Sequence, residues 1–271
     1  MKKIINRLYK FYKRTLNPYH RFFGRFGRNP QEFYLVSYPK SGNTWFRIVI
    51  TNLLNENSEE AFLKDVGAYV PDYHVLTQLS EAGKKGSLFR TLPMRFVKSH
   101  APYSDFFKGK NVVLIVRDGR DVMVSYKEYL NGRNAEKLEL DDLINSDEHL
   151  YFGSWGDHVL SWHKHQAAKV IWVKYEDLLA NPKVEFQRVF KEMDWDISDD
   201  YLSKVIDASS FKSLRAKEEK HGVNFKERVI DQNSKFFRKG ESGDWVNHFS
   251  ENQRKAFEER FGKAMKLIKY H

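Results

Sequence analysis

Four groups of residues in this chain have types and spacings that suit the binding and transfer of an anionic group. The first is Lys40-Ser41-Gly42-Asn43-Thr44, between the run Phe33 to Tyr38 and a segment opening at Trp45. The second is Lys98-Ser99-His100, where a cation and a base lie one residue apart. Arg117, which spacing alone does not join to Ser125 eight residues on, is the third, and Arg238-Lys239-Gly240 is the fourth. Lysine and arginine neutralise anionic oxygens, arginine in a planar two-point contact. Glycine lets backbone N–H groups come close to a ligand. A histidine takes or gives a proton near neutral pH.

The elements needed to position these groups are legible. Phe33 to Tyr38 is aromatic and β-branched, as a buried strand is, and Pro39 ends it. Trp45, Ile48, Val49, Leu53 and Leu54 then recur at helical spacing. A strand, a tight turn holding Lys and Gly, and a helix together present unpaired N–H groups and the positive end of a helix dipole to an anion. The Walker order, with Gly-Lys-Ser/Thr closing the loop, is absent, because Lys40 precedes Gly42. Spacing alone leaves open a variant phosphate loop or an ordinary strand-to-helix turn.

Read together and in order, the blocks resemble the sulfotransferases that use 3′-phosphoadenosine 5′-phosphosulfate (PAPS). Tyr38-Pro-Lys-Ser-Gly-Asn-Thr-Trp45 is similar to that family's 5′-phosphosulfate loop. Arg95-Phe-Val-Lys-Ser-His100, followed by Pro102, is similar to its Lys-Thr-His-x-Pro segment, with Ser99 in place of Thr. The resemblance implies that His100 is the general base, that Lys98 contacts the transferring sulfuryl group, and that Lys40 stabilises charge on the leaving phosphate. Arg117-Asp-Gly-Arg-Asp-Val-Met-Val-Ser125 matches the segment whose Arg and Ser bind the 3′-phosphate. Lys174-Tyr-Glu-Asp-Leu178 matches the family's Tyr-Glu-Asp turn, which implies that Tyr175 contacts the adenine. Ala208-Ser-Ser-Phe211 implies that Ser209 bonds the adenine edge and that Phe211 stacks on one face, with Trp45 on the other. Arg238-Lys-Gly-Glu-Ser-Gly-Asp-Trp245 matches the family's Arg-Lys-Gly-x-x-Gly-Asp-Trp, which assigns Arg238, Lys239 and Gly240 to the 3′-phosphate. The downstream dimer motif of the family is broken here at Val246, Ser250-Glu251 and Lys255, so the oligomeric state stays open.

The expected fold is α/β: a parallel sheet flanked by helices, in a single nucleotide-kinase-like domain over 32–271, preceded by a basic arm over 1–31. Asn111 to Val116 and Val170 to Val173 read as further strands buried on both faces. Val184 to Met193 and 251–268 read as amphipathic helices, and 212–235 as a charged loop. The stretch 55–92 shows no chemistry by spacing, and the resemblance implies that its loops wall the acceptor pocket.

With 271 residues the chain can bury a substantial core, and with no cysteine it has neither disulfides nor thiolate metal sites. The net charge of +10 is concentrated in residues 1–31, which hold nine Lys or Arg and no acid. The remainder is nearly neutral, which argues against nucleic acid as a partner. Ile4, Ile5, Leu8 and Tyr12 share one helical face of the arm. Three readings stay open for it: a helix on an anionic membrane surface, a helix docked on the domain, or a disordered arm. No apolar run reaches the roughly 20 residues of a membrane span. The expected setting is cytoplasmic, with peripheral contact at the inner membrane surface if the arm binds lipid. Acidic residues at Asp141, Asp142, Asp147 and Glu148, and His158, His163 and His165, lack metal-ligand spacing, and no metal is expected. For Asp118, Arg120 and Asp121 the reading as no more than solvated charges at a helix start stays open. The reading is a sulfotransferase with PAPS as donor and a small-molecule, lipid or carbohydrate hydroxyl or an amine as acceptor. The alternatives are a phosphate-loop nucleotide kinase and an inactive membrane-associated nucleotide-binding protein.

Overall fold

The computed structural model describes residues 18–55, 62–133, 137–222, 237 and 239–270. Residues 1–17, the stretch 223–236 and Arg238 lie outside them, and with them most of the basic arm. Among the described residues four strands form one parallel sheet in the order β2-β1-β3-β4. They are β1 (Glu32–Ser37), β2 (Arg95–Ser99), β3 (Asn111–Val116) and β4 (Lys169–Lys174).

Each strand divides its side chains between two cores, because successive residues of a strand point to opposite faces. Tyr34 and Val36 of β1 join Val112, Leu114 and Val116 of β3 in one core. Phe33 and Leu35 join Val113, Ile115, Ile171 and Val173 in the other. Helices Gly119–Asn131, Trp155–His163 and Glu251–Leu267 cover the first face. Helices Asn43–Leu54, Pro182–Glu192 and Asp199–Ala208 cover the second. The expected α/β architecture is therefore present. Phe23 and Phe26, in the part of the basic arm that is described, are buried in the first core, and Phe26 packs edge-on to Tyr34 at 5.3 Å.

The register decides what meets at the top of the sheet. Val36 of β1 lies opposite Ser99 of β2, and Ser37 opposite Ile115 of β3. The strands thus end level, and His100, Lys40 and Arg117 all fall just past their carboxyl ends. The helix after β1 lies on one face and the helix after β3 on the other. Adjacent strands whose connections leave in opposite directions open a crevice between them, where ligands bind in sheets of this kind.

Part of the expected charged loop 212–235 is instead a helix, Phe211–His221. Ser210 caps it by accepting a hydrogen bond from Ser213 N, and its run of Lys, Arg, Ala and Glu has high helix propensity. Periodicity is weak because Phe211 and Leu214 are its main apolar residues, and both pack in a small cluster with Ile48, Phe62 and Phe237.

Candidate active site

The loop after β1 is held in an unusual backbone. Lys40 has a φ of 68° and Gly42 of 93°. A left-handed lysine costs of order 1 kcal/mol or more, and such residues persist where the surroundings over-determine them. Gly42 is needed for a second reason: a Cβ there would stand 2.4 Å from Cδ2 of Tyr175. The ring of Tyr175 therefore packs directly on the loop backbone. The Lys40 ammonium sits 4.7 Å from the centroid of the Tyr129 ring. Ser41 Oγ is buried without a protein partner, as is Nε of Arg117. An unpaired buried polar atom is costly, and here both lie in segments that the sequence resemblance links to anionic oxygens. Thr44 and Trp45 are half-buried in the first turn of the following helix, and Asn43 is buried there.

Asn43 and Ser37 tie this loop to His100. Asn43 Nδ2 donates to Ser37 Oγ at 3.2 Å, and the Ser37 carbonyl lies 2.8 Å from Nδ1 of His100. A carbonyl oxygen only accepts, so Nδ1 carries the ring proton and Nε2 keeps its lone pair. Burial, and then the charge of Lys98, push the His100 imidazole well below its ordinary pKa, against the smaller opposing effect of Asp72. His100 is thus neutral at pH 7 and able to accept a proton. Phe152 stands edge-on to it, with ring centroids 5.3 Å apart.

Lys98 is buried, and its ammonium donates to Asp72 Oδ2 at 2.6 Å. Burial opposes ionisation of Asp72, but Lys98 and Arg47 outweigh it and hold the carboxyl far below the usual range. Asp72 belongs to no motif, because its partner is 26 residues away and the two meet only when the segment at 71–73 pairs with β2.

Arg117, just past β3, joins three segments. Its Nη1 donates to the Lys40 carbonyl at 3.2 Å, its Nη2 to the Glu241 carbonyl at 2.9 Å, and its guanidinium lies 4.5 Å from the Tyr175 ring centroid. Asp121 is not a solvated charge. It is 2% exposed, and its two oxygens accept from Gly243 N at 2.7 Å and Trp245 N at 3.0 Å. This carboxylate joins the helix Gly119–Asn131 to the loop that carries Lys239 and Gly240. Ser125 is half-buried four residues on, on the same helical face. Asp118 is the helix N-cap, accepting from Arg120 N at 2.9 Å and paired with the Arg120 side chain at 2.6 Å. Lys239 donates to Asp244 Oδ1 at 2.6 Å. Gly240 has a φ of 68°, and a Cβ there would stand 2.3 Å from Cδ2 of Phe211.

Phe211 in turn belongs to a cluster with Trp45. Trp45 Nε1 donates to the Ser209 carbonyl at 2.9 Å, Asn52 Nδ2 to Ser209 Oγ at 2.9 Å, and the Trp45 and Tyr175 rings meet edge-on at 6.2 Å. The structure thus brings Trp45, Tyr175, Ser209, Phe211 and Gly240 to one side of the phosphate loop. His100 and Lys98 lie on the other side. Arg238 is outside the described residues.

The sulfotransferase domain model matches residues 30–269. The chain belongs to the sulfotransferase domain family. It is 29% identical over 253 residues to sulfotransferase 1 family member D1 of Mus musculus, covering 89% of this chain and 85% of that protein. Sulfotransferase 1E1 of Bos taurus is 28% identical over 267 residues, covering 94% and 90%. Among solved structures, mouse sulfotransferase SULT7A1 complexed with PAP aligns with a TM-score of 0.64 at 22% identity, covering 92% of this chain and 88% of that one. Retinol dehydratase in a complex with retinol and PAP aligns at 0.63 and 20% identity, covering 92% and 86%. At these identities the structural likeness concerns the fold.

Among the described residues no group of three or more His, Cys, Asp or Glu could hold a metal ion. His158 is buried, His163 is exposed and His165 is half-buried. No helix among the described residues is long and apolar enough to cross a membrane.

Proposed function

We propose that this sulfotransferase moves the sulfuryl group of PAPS to a hydroxyl or amine, with His100 as general base. The observation that carries the proposal is the fixed tautomer of His100. Its Nδ1 is bound to the Ser37 carbonyl, in the strand that leads into the phosphate loop, and its bare Nε2 is left for the acceptor. PAPS supplies a sulfuryl group on a phosphate leaving group. Lys40, Ser41, Gly42, Asn43 and Thr44 hold the 5′-phosphosulfate through loop amides, a hydroxyl and one ammonium. Arg117, Ser125, Arg238, Lys239 and Gly240 take the 3′-phosphate. Trp45, Phe211, Tyr175 and Ser209 take the adenine. Nε2 of His100 accepts the acceptor proton as the new bond to sulfur forms and the bond from sulfur to the phosphate oxygen breaks. Lys40 stabilises charge on the leaving phosphate, and Lys98, steered by Asp72, adds positive charge beside the sulfuryl oxygens. Most of the rate enhancement then comes from positioning and electrostatics, as in phosphoryl transfer.

Aromatic rings crowd His100: Phe152 at 5.3 Å, with Tyr151 and His74 each 4.8 Å from Phe152. This wall favours an acceptor with an apolar body. Retinol and androsterone, named for the retinol dehydratase complexes, are alcohols of that kind.

Calorimetric titration with adenosine 3′,5′-bisphosphate, ATP and ADP tests the donor assignment. The bisphosphate is expected to bind far more tightly than either competitor, and preference for ATP would favour a kinase. Labelled PAPS offered with panels of phenols, alcohols, sugars and amines then tests transfer. Binding without transfer to any of them would favour an inactive nucleotide-binding protein.

A further inference from the structure

We propose that His74 is a positioning residue for His100, acting through the backbone rather than on the reacting atoms; the proposal rests on His100 being the base. The segment before His74 runs beside β2 as a short parallel bridge. Lys98 N donates to the Pro71 carbonyl at 2.9 Å, and Tyr73 N to the Lys98 carbonyl at 2.8 Å. Asp72 fixes it further, through the ammonium of Lys98 and by accepting from His74 N at 2.8 Å. Gln78 Oε1 accepts from Asp72 N at 2.8 Å. His74 is thereby delivered to the carboxyl end of an edge strand, where among the described residues no further strand lies beside His100 N.

The His74 ring fills that gap. Its Nε2 accepts from His100 N at 3.1 Å and lies 3.3 Å from Ser99 Oγ. Ser99 Oγ accepts from Ala101 N at 3.1 Å, so its own hydrogen is free to point at His74. Two donors converging on one nitrogen require that nitrogen to be bare, so the His74 proton sits on Nδ1. The same ring packs edge-on to Phe152, which packs edge-on to His100. His74 therefore fixes the base from two directions. It anchors the peptide that carries His100 and buttresses the ring that confines it. Ser37 fixes the far side of the imidazole.

The side-chain change that separates this role from packing is His74→Leu against His74→Gln. Leucine fills the space and accepts nothing, whereas glutamine returns an acceptor oxygen. His74→Leu is expected to lower kcat by about 10- to 100-fold, the scale of a small misplacement of a catalytic group. His74→Gln is expected to recover most of that loss. In both variants the KM for PAPS and the affinity for adenosine 3′,5′-bisphosphate are expected to stay at wild-type values, because the role proposed for His74 runs through Ser99, His100 and Phe152. Turnover is measured with labelled PAPS and whichever alcohol, phenol or amine serves the wild type best. Long-range proton–nitrogen NMR of the wild-type protein supplies a readout that needs neither a variant nor an acceptor. It is expected to show His74 protonated on Nδ1 and bare on Nε2. Wild-type kcat in His74→Leu, equal losses in the two variants, or a proton on Nε2 of His74 would each overturn the role. Failure of the wild-type protein to bind the bisphosphate would instead overturn the sulfotransferase chemistry on which it rests.

Discussion

His100 and Arg117 show how single side chains acquire roles from what holds them. His100 has one ring nitrogen committed to the Ser37 carbonyl, and burial keeps the ring neutral. His100→Ala is therefore expected to lose at least about two orders of magnitude in kcat, the usual scale for a general base. The affinity for adenosine 3′,5′-bisphosphate, read by calorimetry, is expected to stay near wild type. A variant that turns over normally would remove His100 from the mechanism. Arg117 is different, because it bridges the Lys40 and Glu241 carbonyls against the face of Tyr175 while its Nε remains unpaired. Arg117→Ala is expected to weaken the bisphosphate by about 2–4 kcal/mol, the cost of leaving a buried anion short of a charged partner. Adenosine 5′-phosphosulfate, which lacks the 3′-phosphate, is expected to lose far less; equal losses for the two ligands would contradict the assignment.

Between elements, the most informative contact is the carboxylate of Asp121. Two acids sit near the start of one helix, Asp118 as its cap and Asp121 in its first turn, yet they do different things. Asp118 satisfies its own helix and Arg120, so Asp118→Ala is expected to cost only about 1 kcal/mol, as the loss of a cap does. Asp121, itself buried, accepts from two backbone amides of another segment, and its removal takes that partner from both. Asp121→Ala is expected to cost about 2–4 kcal/mol of unfolding free energy, measured with urea. It should also weaken bisphosphate binding, since the same loop carries Lys239 and Gly240. Equal costs for the two variants would show that the junction does not hold the loop. Gly240 marks the other side of that loop, where any Cβ would collide with Phe211.

For the molecule as a whole, pH dependence of stability reports on what the core encloses. His158 is 2% exposed, with Nε2 unpartnered. Burial lowers its pKa from 6.5 to about 3, against the opposing hydrogen bond to Ala101. The unfolded chain therefore takes up a proton near pH 6.5 that the native state refuses until about pH 3. That stability is fully present above pH 6.5 and declines as pH falls. At pH 5 the loss from this one group is about 2 kcal/mol. The depressed carboxyl of Asp72 loses its own contribution only lower, below the ordinary carboxylate pKa of about 4. Between pH 6.5 and 4.5, His158→Leu is therefore expected to lose stability less steeply than the wild type. Parallel urea midpoints for the two proteins across that range would show that the imidazole is protonated in the fold.

Much of this enzyme is written locally. The segments 32–37 and 111–116 are strands because β-branched and aromatic residues fill both faces of a sheet, and the helix after Gly42 follows from its apolar spacing. The residues proposed to hold the phosphates and to act as base are grouped in short segments of the sequence, where Lys, Arg, Gly and hydroxyls stand close together. What joins those segments is not local. The helix Phe211–His221 has too few apolar residues to show a period, and Leu214 becomes meaningful only against Ile48 and Phe237. Asp121 looked solvated because its two amide partners lie more than a hundred residues away in sequence. Asp72 and His74 carried no motif because their partners, Lys98 and His100, lie on and just past an edge strand that the chain reaches only after two further helices. Segment chemistry is fixed by neighbours along the chain. The alignment of His100 with the loop after β1 is set by strand register and by hydrogen bonds between segments, and these exist only once the sheet has formed.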